Sequence, residues 1–196
     1  MTRDRIFAAA ADILRREGLA GLSIRNVAKA VNLTPMAIYR HFTDKDDLID
    51  ALMLDGFVAW EAIASAIRTK DPMLWLQRLM EAFLNFALSQ PHRFDAAFII
   101  PARGARRYPD DFVAGRSPVL QMAYARIEQA KAEGKLGDTP TPQIALTLSA
   151  LAQGFVSMHR AKRFADERQL CAAYRIAIRR AIASFATGPS TRVSRK

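Results

Sequence analysis

A single cysteine, Cys171, excludes an internal disulfide framework and suits a reducing compartment, so a cytoplasmic protein is expected. With no second thiol to resolve an oxidised one, Cys171 reads as an inert side chain rather than a redox sensor. Apolar runs are short and broken by Arg, Glu or Gln, well under the roughly 18 to 20 residues that a spanning helix needs. Asp4, Asp12 and Glu17 interrupt the first segment at helical intervals, unlike the core of a signal peptide. No membrane partner is expected. Histidine is also scarce, and His92 and His159 lie far apart in sequence, so no metal or other cofactor is expected. A glycine-rich phosphate loop, a nucleophile–base pairing and carboxylates paired for acid–base work are also missing, so no catalytic residue is assigned and enzyme activity is not expected. Strand-type alternation and internal repeats are missing as well.

What is present is an apolar, helix-patterned chain. Hydrophobic residues make up 51% and charged residues 24% of the 196, enough for a real core in one or two domains. The formal net charge of +10 is placed unevenly: residues 1–50 carry eight basic against seven acidic side chains, residues 51–159 eleven against ten, and residues 160–196 ten against two. A basic balance favours nucleic acid or anionic surfaces. Because the surplus sits at the C-terminal end, a nucleic-acid site elsewhere must be read from local arrangement.

Nearly every segment repeats with a period of 3.6, which predicts an all-α fold. In the first segment Ile6, Phe7, Ala10, Ile13 and Leu14 share a face, Thr2 caps the start and Gly18 supplies the stop. A second helix starts at Ser23, buries Ile24, Val27, Ala28 and Val31, and ends at Asn32, which tolerates a left-handed backbone. Then comes LTPMAIYRHF at 33–42. Thr34 is a good N-cap, and Pro35 suits the first helical position because its missing N–H would be unpaired there anyway. The same proline disfavours helical geometry at Thr34, so the second and third helices must meet at an angle. Ile38 and Phe42, four apart, point inward, while Met36 and Arg40 share a different face.

Further on, a long helix is expected from a cap at Thr43 or Asp44 to about Arg68, and another from Pro72 to Gln90. A turn at 90–93 and a loop over 101–118 with at most a short helix inside it follow. Helix resumes over 118–133, and two final helices cover about 142–163 and 166–187. Residues 188–196 read as a disordered basic tail.

Two helices joined by a tight turn, the second short and started by proline, make a helix-turn-helix in physical terms. The second helix must leave its N-terminal residues free to enter a major groove roughly 12 Å wide. The candidate DNA-contacting set is Ser23, Arg25, Thr34, Pro35, Met36, Tyr39, Arg40, His41 and Lys45. Arginine reads guanine bidentately, hydroxyls and Lys45 suit phosphate oxygens, and Met36 and Pro35 offer apolar contact to a thymine methyl. His41 suits either a phosphate or a structural place at the helix end.

The run from Ile6 to Ile49 resembles the N-terminal DNA-binding domain of the TetR family of bacterial transcriptional regulators. The features that carry the resemblance are Gly18, the Ser23 cap, the Val27-Ala28 pair, YRHF at 39–42, and Lys45 before an acidic pair and Leu48. The chain departs from the family in having Asn32 where the turn often has glycine. The resemblance implies an all-α homodimer with an N-terminal three-helix reader (1–47), a C-terminal helical domain for ligand binding and dimerisation (48–188), and the tail (189–196). It implies a ligand-responsive regulator, a repressor, bound to a pseudo-palindromic double-stranded DNA operator and released by a small-molecule effector.

Dimerisation through the last two long helices has support in the residues themselves. Ile144, Leu148, Leu151, Phe155 and Met158 are expected to be buried on one side of the penultimate helix. Ala145, Ser149, Ala152 and Val156 form a small-residue stripe on another side; one side would meet the domain core and the other a second subunit. Effector candidates are Phe57, Trp60, Met80, Phe83, Phe98, Met122, Phe155 and Met158, which would line an apolar cavity. Arg103, Arg106, Arg107 and Arg116 are a solvated loop or an anion-accepting mouth. The alternative reading is a helical small-molecule binder or enzyme without sequence-specific DNA binding, and a steep salt slope on a defined duplex separates the two.

Overall fold

The structure is a computed structural model, and it describes residues 2–186. Ten helices are present among them: α1 (Thr2–Gly21), α2 (Ile24–Ala30), α3 (Pro35–Tyr39), α4 (Lys45–Ser65), α5 (Pro72–Ser89), α6 (Pro91–Phe98), α7 (Asp110–Val113), α8 (Pro118–Ala132), α9 (Thr141–Arg160) and α10 (Glu167–Ser184). The fold is all-α, and the described residues contain no strand beyond one isolated bridge between Leu136 and Ala186. The tail expected at 188–196 lies outside the described residues.

The chain divides into two compact units. Residues up to Ala62 together with Phe86–Tyr108 form the first; Ile63–Asn85 together with residues from Pro109 onward form the second. The first unit therefore takes in more of the chain than the three-helix segment alone. The physical reason is α6: Ala96 is part of the same buried cluster as Ile6, Ile38, Phe42, Leu48 and Leu52, and Ile100 and Ala102 pack against that cluster. Gly56 allows α6 to cross α4 closely, since a Cβ there would lie 2.4 Å from the Arg93 carbonyl oxygen and 2.9 Å from the Ala97 Cβ. Beside the crossing, Arg93 Nε donates to Asp55 Oδ2 at 2.8 Å.

Several expected boundaries shift for local reasons. Gly18 breaks the helical backbone where a stop was expected, with φ 66° and ψ −167°, and residues 19–21 add a short helical turn beyond it. α4 stops at Ser65, three residues short of Arg68, where Ala66 and Ile67 donate to carbonyls three residues back and tighten the last turn. The expected turn at 90–93 is instead the start of α6, because Pro91 occupies its first turn after the non-helical Gln90. α9 ends at Arg160, where Lys162 has a left-handed backbone.

In the second unit α5, α8, α9 and α10 bury Leu76, Leu79 and Leu84, Ile127, Ile144 and Leu148, and Leu170, Tyr174 and Ile178. The Tyr174 hydroxyl donates to the Met80 carbonyl at 2.6 Å, which satisfies its polar end inside the core.

Candidate nucleic-acid interface

Each joint of the helix-turn-helix is closed by a named hydrogen bond. The Asn26 N–H donates to Ser23 Oγ at 3.1 Å and caps α2; Asn26 Nδ2 donates to the Gly21 carbonyl at 2.8 Å. α2 ends at Val31, and Asn32 turns the chain with φ 55°. The turn then delivers Thr34, whose Oγ1 accepts the Ala37 N–H at 3.3 Å, and Pro35 follows in the first turn of α3. Ile38 and Phe42 are fully buried, whereas Met36 is 69% and Tyr39 49% exposed. The five-residue α3 is thus pinned along one side and open along the other.

Arg25, Thr34, Pro35, Arg40, His41 and Lys45 are all exposed with Met36 and Tyr39. Ser23 is the exception, being half-buried with its oxygen engaged in the cap. Eight of the nine candidate residues are therefore exposed, Thr34 with its Oγ1 also in the α3 cap. Guanidinium, ammonium, phenol and hydroxyl groups on one small helical module offer donors for phosphate oxygens and base edges.

The sequence pattern did not place three basic residues beside this module: it passed over Arg3 and Arg5 and set Arg103 in the 101–118 loop. Arg5 Nη2 donates to the Val31 carbonyl at 3.2 Å, at the end of α2. The Arg3 guanidinium stands 4.8 Å from the centre of the Phe42 ring. Arg103, from the segment after α6, donates to Asp44 at 2.8 Å. The signal was at most a positive charge near each position, because these contacts join residues far apart in sequence.

Asp44 is the cap of α4: its Oδ1 accepts the Asp47 N–H at 2.8 Å, and Asp47 Oδ2 accepts the Thr43 N–H at 2.9 Å. The Asp47 N–H, and after it the Arg103 guanidinium, hold the Asp44 carboxyl below its ordinary range. The arginines of the 101–118 loop are engaged rather than gathered at an open mouth. Arg103 pairs with Asp44, Arg106 lies 4.2 Å above the Phe57 ring, and Arg116 pairs with Asp111 at 2.8 Å.

The eight effector candidates separate. Phe57, Trp60 and Phe98 meet in an aromatic cluster of the first unit, with Phe57–Phe98 centroids 5.5 Å and Trp60–Phe98 centroids 6.4 Å apart. In the second unit Met80 and Phe83 are buried, Met122 is half-buried, and Phe155 stacks on Phe164 and lies nearly perpendicular to the Tyr174 ring. Met158, expected among the buried residues of the penultimate helix, is instead 48% exposed. The buried arc of α9 is Ile144, Ala145, Leu148, Ala152 and Val156, and at about 100° per residue Met158 stands roughly 100° from its middle. The same rotation buries most of the small-residue stripe, and leaves Leu146, Met158 and, on α10, Ile176 facing outward.

An open groove of about 270 Å³ runs between α5 and α10, with Leu74, Arg78, Tyr174 and Arg179 among its walls and none of the eight candidates. Among the described residues no group of three or more His, Cys, Asp or Glu could hold a metal, and no helix is long and apolar enough to cross a membrane.

Residues 6–52 match the family described as bacterial regulatory proteins, tetR family, and residues 76–181 match the tetracyclin repressor-like C-terminal domain. The HTH-type transcriptional regulator Rv1816 of Mycobacterium tuberculosis is 26% identical over 154 residues, which cover 72% of this chain and 64% of that one. The chain thus spans just under two thirds of the length of the curated relatives of this group. Over 55 residues, 28% of this chain and 20% of the other, it is 46% identical to the HTH-type transcriptional repressor DrrR1 of Streptomyces coeruleorubidus. A protein of unknown function from Rhodococcus superposes with a TM-score of 0.73 at 22% identity, covering 95% of this chain and 96% of that one. A TetR variant from Acinetobacter baumannii, solved in complex with minocycline, has a TM-score of 0.67 at 21% identity and covers 92% of this chain and 93% of its own.

Proposed function

The chain belongs to the TetR family of bacterial regulatory proteins, a helix-turn-helix transcriptional regulator and not an enzyme, and from that premise we propose that it is a ligand-responsive repressor. It binds a pseudo-palindromic operator as a homodimer, reads DNA through the α3 face, and is released by a small-molecule effector. The observation that carries the reading is the contrast within α3. Ile38 and Phe42 are fully buried while Met36 and Tyr39, one to three residues away, stand in solvent. A module this short has no stability of its own, so its open side is held out by core residues and left for another molecule.

Within that reading Arg25 and Arg40 specify bases, while Thr34, Tyr39, His41 and Lys45 hold phosphates. Ser23 acts through its cap. Dimerisation is supported by the outward apolar side chains of α9 and α10, Leu146, Met158 and Ile176, whose exposure in one protomer favours cover by a second. Two copies of α3 about 34 to 36 Å apart would then meet successive turns of one groove face. The effector is taken up by the apolar side chains of the helical domain. The minocycline complex of the Acinetobacter TetR supports small-molecule binding on this fold, and the repressor named among the relatives supports the sign of the response.

Selection from a random duplex pool tests the reading, followed by titration of the recovered sequence against salt. The expected result is one pseudo-palindromic site bound by two protomers, with log affinity falling steeply against log salt. Equal affinity for every duplex, or a monomer by sedimentation at micromolar protein, overturns it.

A further inference from the structure

Four aspartates, Asp44 just before α4 and Asp46, Asp47 and Asp50 in its first two turns, lie beside the surface that presents Lys45 to DNA. Left alone they would repel phosphates. Arg103 stands among three of them: Nη2 is 2.8 Å from Asp44 Oδ1, and Nε is 3.8 Å from Asp46 Oδ2 and 4.0 Å from Asp50 Oδ2. The next residue adds a backbone tie, since the Gly104 N–H donates to Asp50 Oδ1 at 3.0 Å. Gly104 also sits tightly, with room for a Cβ only 3.3 Å from the Met53 methyl. Three residues after Arg103, the Arg106 guanidinium covers Phe57 on the same helix.

We propose that Arg103 is a positioning residue for DNA reading: it straps the segment after α6 onto the acidic start of α4 and thereby fixes the joint between α3 and α4. The joint is residues 40–44, which have no helix of their own. Asp44 Oδ1 is its hinge atom, because it accepts both the Asp47 N–H that starts α4 and the Arg103 guanidinium. Orientation of that one carboxylate sets where α4 begins, and so where Lys45 stands relative to Tyr39 and Arg40. Arg103 itself need touch no phosphate. The inference rests on the α3 face meeting DNA.

The test uses the full chain and the operator recovered by selection. Arg103→Ala weakens operator binding about fivefold, the upper range for an exposed ion-pair network, and Arg103→Lys restores most of the loss. The slope of log affinity on log salt stays unchanged, whereas loss of a phosphate contact would lower it by about 0.9. Asp44→Ser keeps a capping oxygen but cannot hold Arg103. Removing a negative charge would by electrostatics alone tighten DNA binding; the strap requires it to weaken, and the double variant to be no weaker than either single one. Without DNA, Arg103→Ala speeds amide exchange at Asp47 and Gly104. Wild type that selects no duplex defeats the DNA reading but leaves the exchange experiment to judge the strap. The strap is overturned by unchanged exchange at those two amides, by unchanged affinity of Arg103→Ala, by a reduced salt slope, by tighter binding of Asp44→Ser, or by additive losses.

Discussion

Met36 and Ile38 stand two residues apart on α3 and meet opposite surroundings, 69% exposed against fully buried. Truncating each to alanine separates display from anchoring. Ile38→Ala removes three carbons from the cluster shared with Ile6, Val27, Phe42 and Leu48. At about 0.8 kcal/mol per buried methylene the transfer loss is about 2.4 kcal/mol, and incomplete collapse of the site raises it to about 3 to 4 kcal/mol. For a chain of this size each kcal/mol moves the melting midpoint by about 2 to 4 °C, so Ile38→Ala should melt about 6 to 16 °C lower. Met36→Ala deletes atoms already in water and should change stability by less than about 0.5 kcal/mol, while weakening operator binding through the lost apolar contact. Far-UV circular dichroism on heating and anisotropy titration of the labelled operator read the two effects separately. Equal losses of stability in the two variants, or wild-type operator affinity in Met36→Ala, would refute the division of α3 into an anchored and a displayed side.

Thr34→Ala should destabilise by about 1 kcal/mol through loss of the cap to the Ala37 N–H, with Thr34→Ser close to wild type, as measured by urea unfolding. Gly56→Ala should destabilise by about 1 to 3 kcal/mol despite the better helix propensity of alanine, because the new Cβ meets the Arg93 carbonyl; a more stable variant would mean α6 shifts freely. Burial raises the Tyr174 phenol above its ordinary value of 10.0. Its folded form therefore favours the proton, its stabilising share is complete below pH about 10, and it is lost as pH rises beyond that. Melting curves from pH 8 to 11 should show a high-pH decline that shrinks in Tyr174→Phe, which also loses about 1 kcal/mol with the Met80 hydrogen bond.

The helix-turn-helix was legible because its signals are local and stereochemical. A capping hydroxyl at Ser23 or Thr34, a proline at the first helical position and an asparagine with φ 55° each constrain their own neighbours within four residues. The caps of α4 and α10, at Asp44 and Asp166, follow the same rule. Such signals act before any tertiary contact exists, so periodicity and residue type suffice to find them. Even the inward pair of α3 is a local inference, since a helix of one and a half turns has room for only one buried side.

Phase was harder than existence. α9 carries apolar residues over most of its circumference, so its pattern admits several rotations that differ by tens of degrees. The core chose the one that centres Leu148 and Ala152 and turns Met158 and Leu146 outward. That choice depends on which side chains α8 and α10 bring opposite, which no window of α9 contains. The crossing of α6 over α4 is hidden for the same reason: Gly56 reads as an ordinary helix-weakening residue until α6 is known to cross it. Arg103 is the sharpest case, since its partner carboxylate lies 59 residues earlier and nothing in the loop's composition distinguishes a strap from a solvated charge. Chemistry set by a residue's own neighbours can be read along the chain. Chemistry set by a crossing, such as the charge balance at the start of α4, waits for the fold.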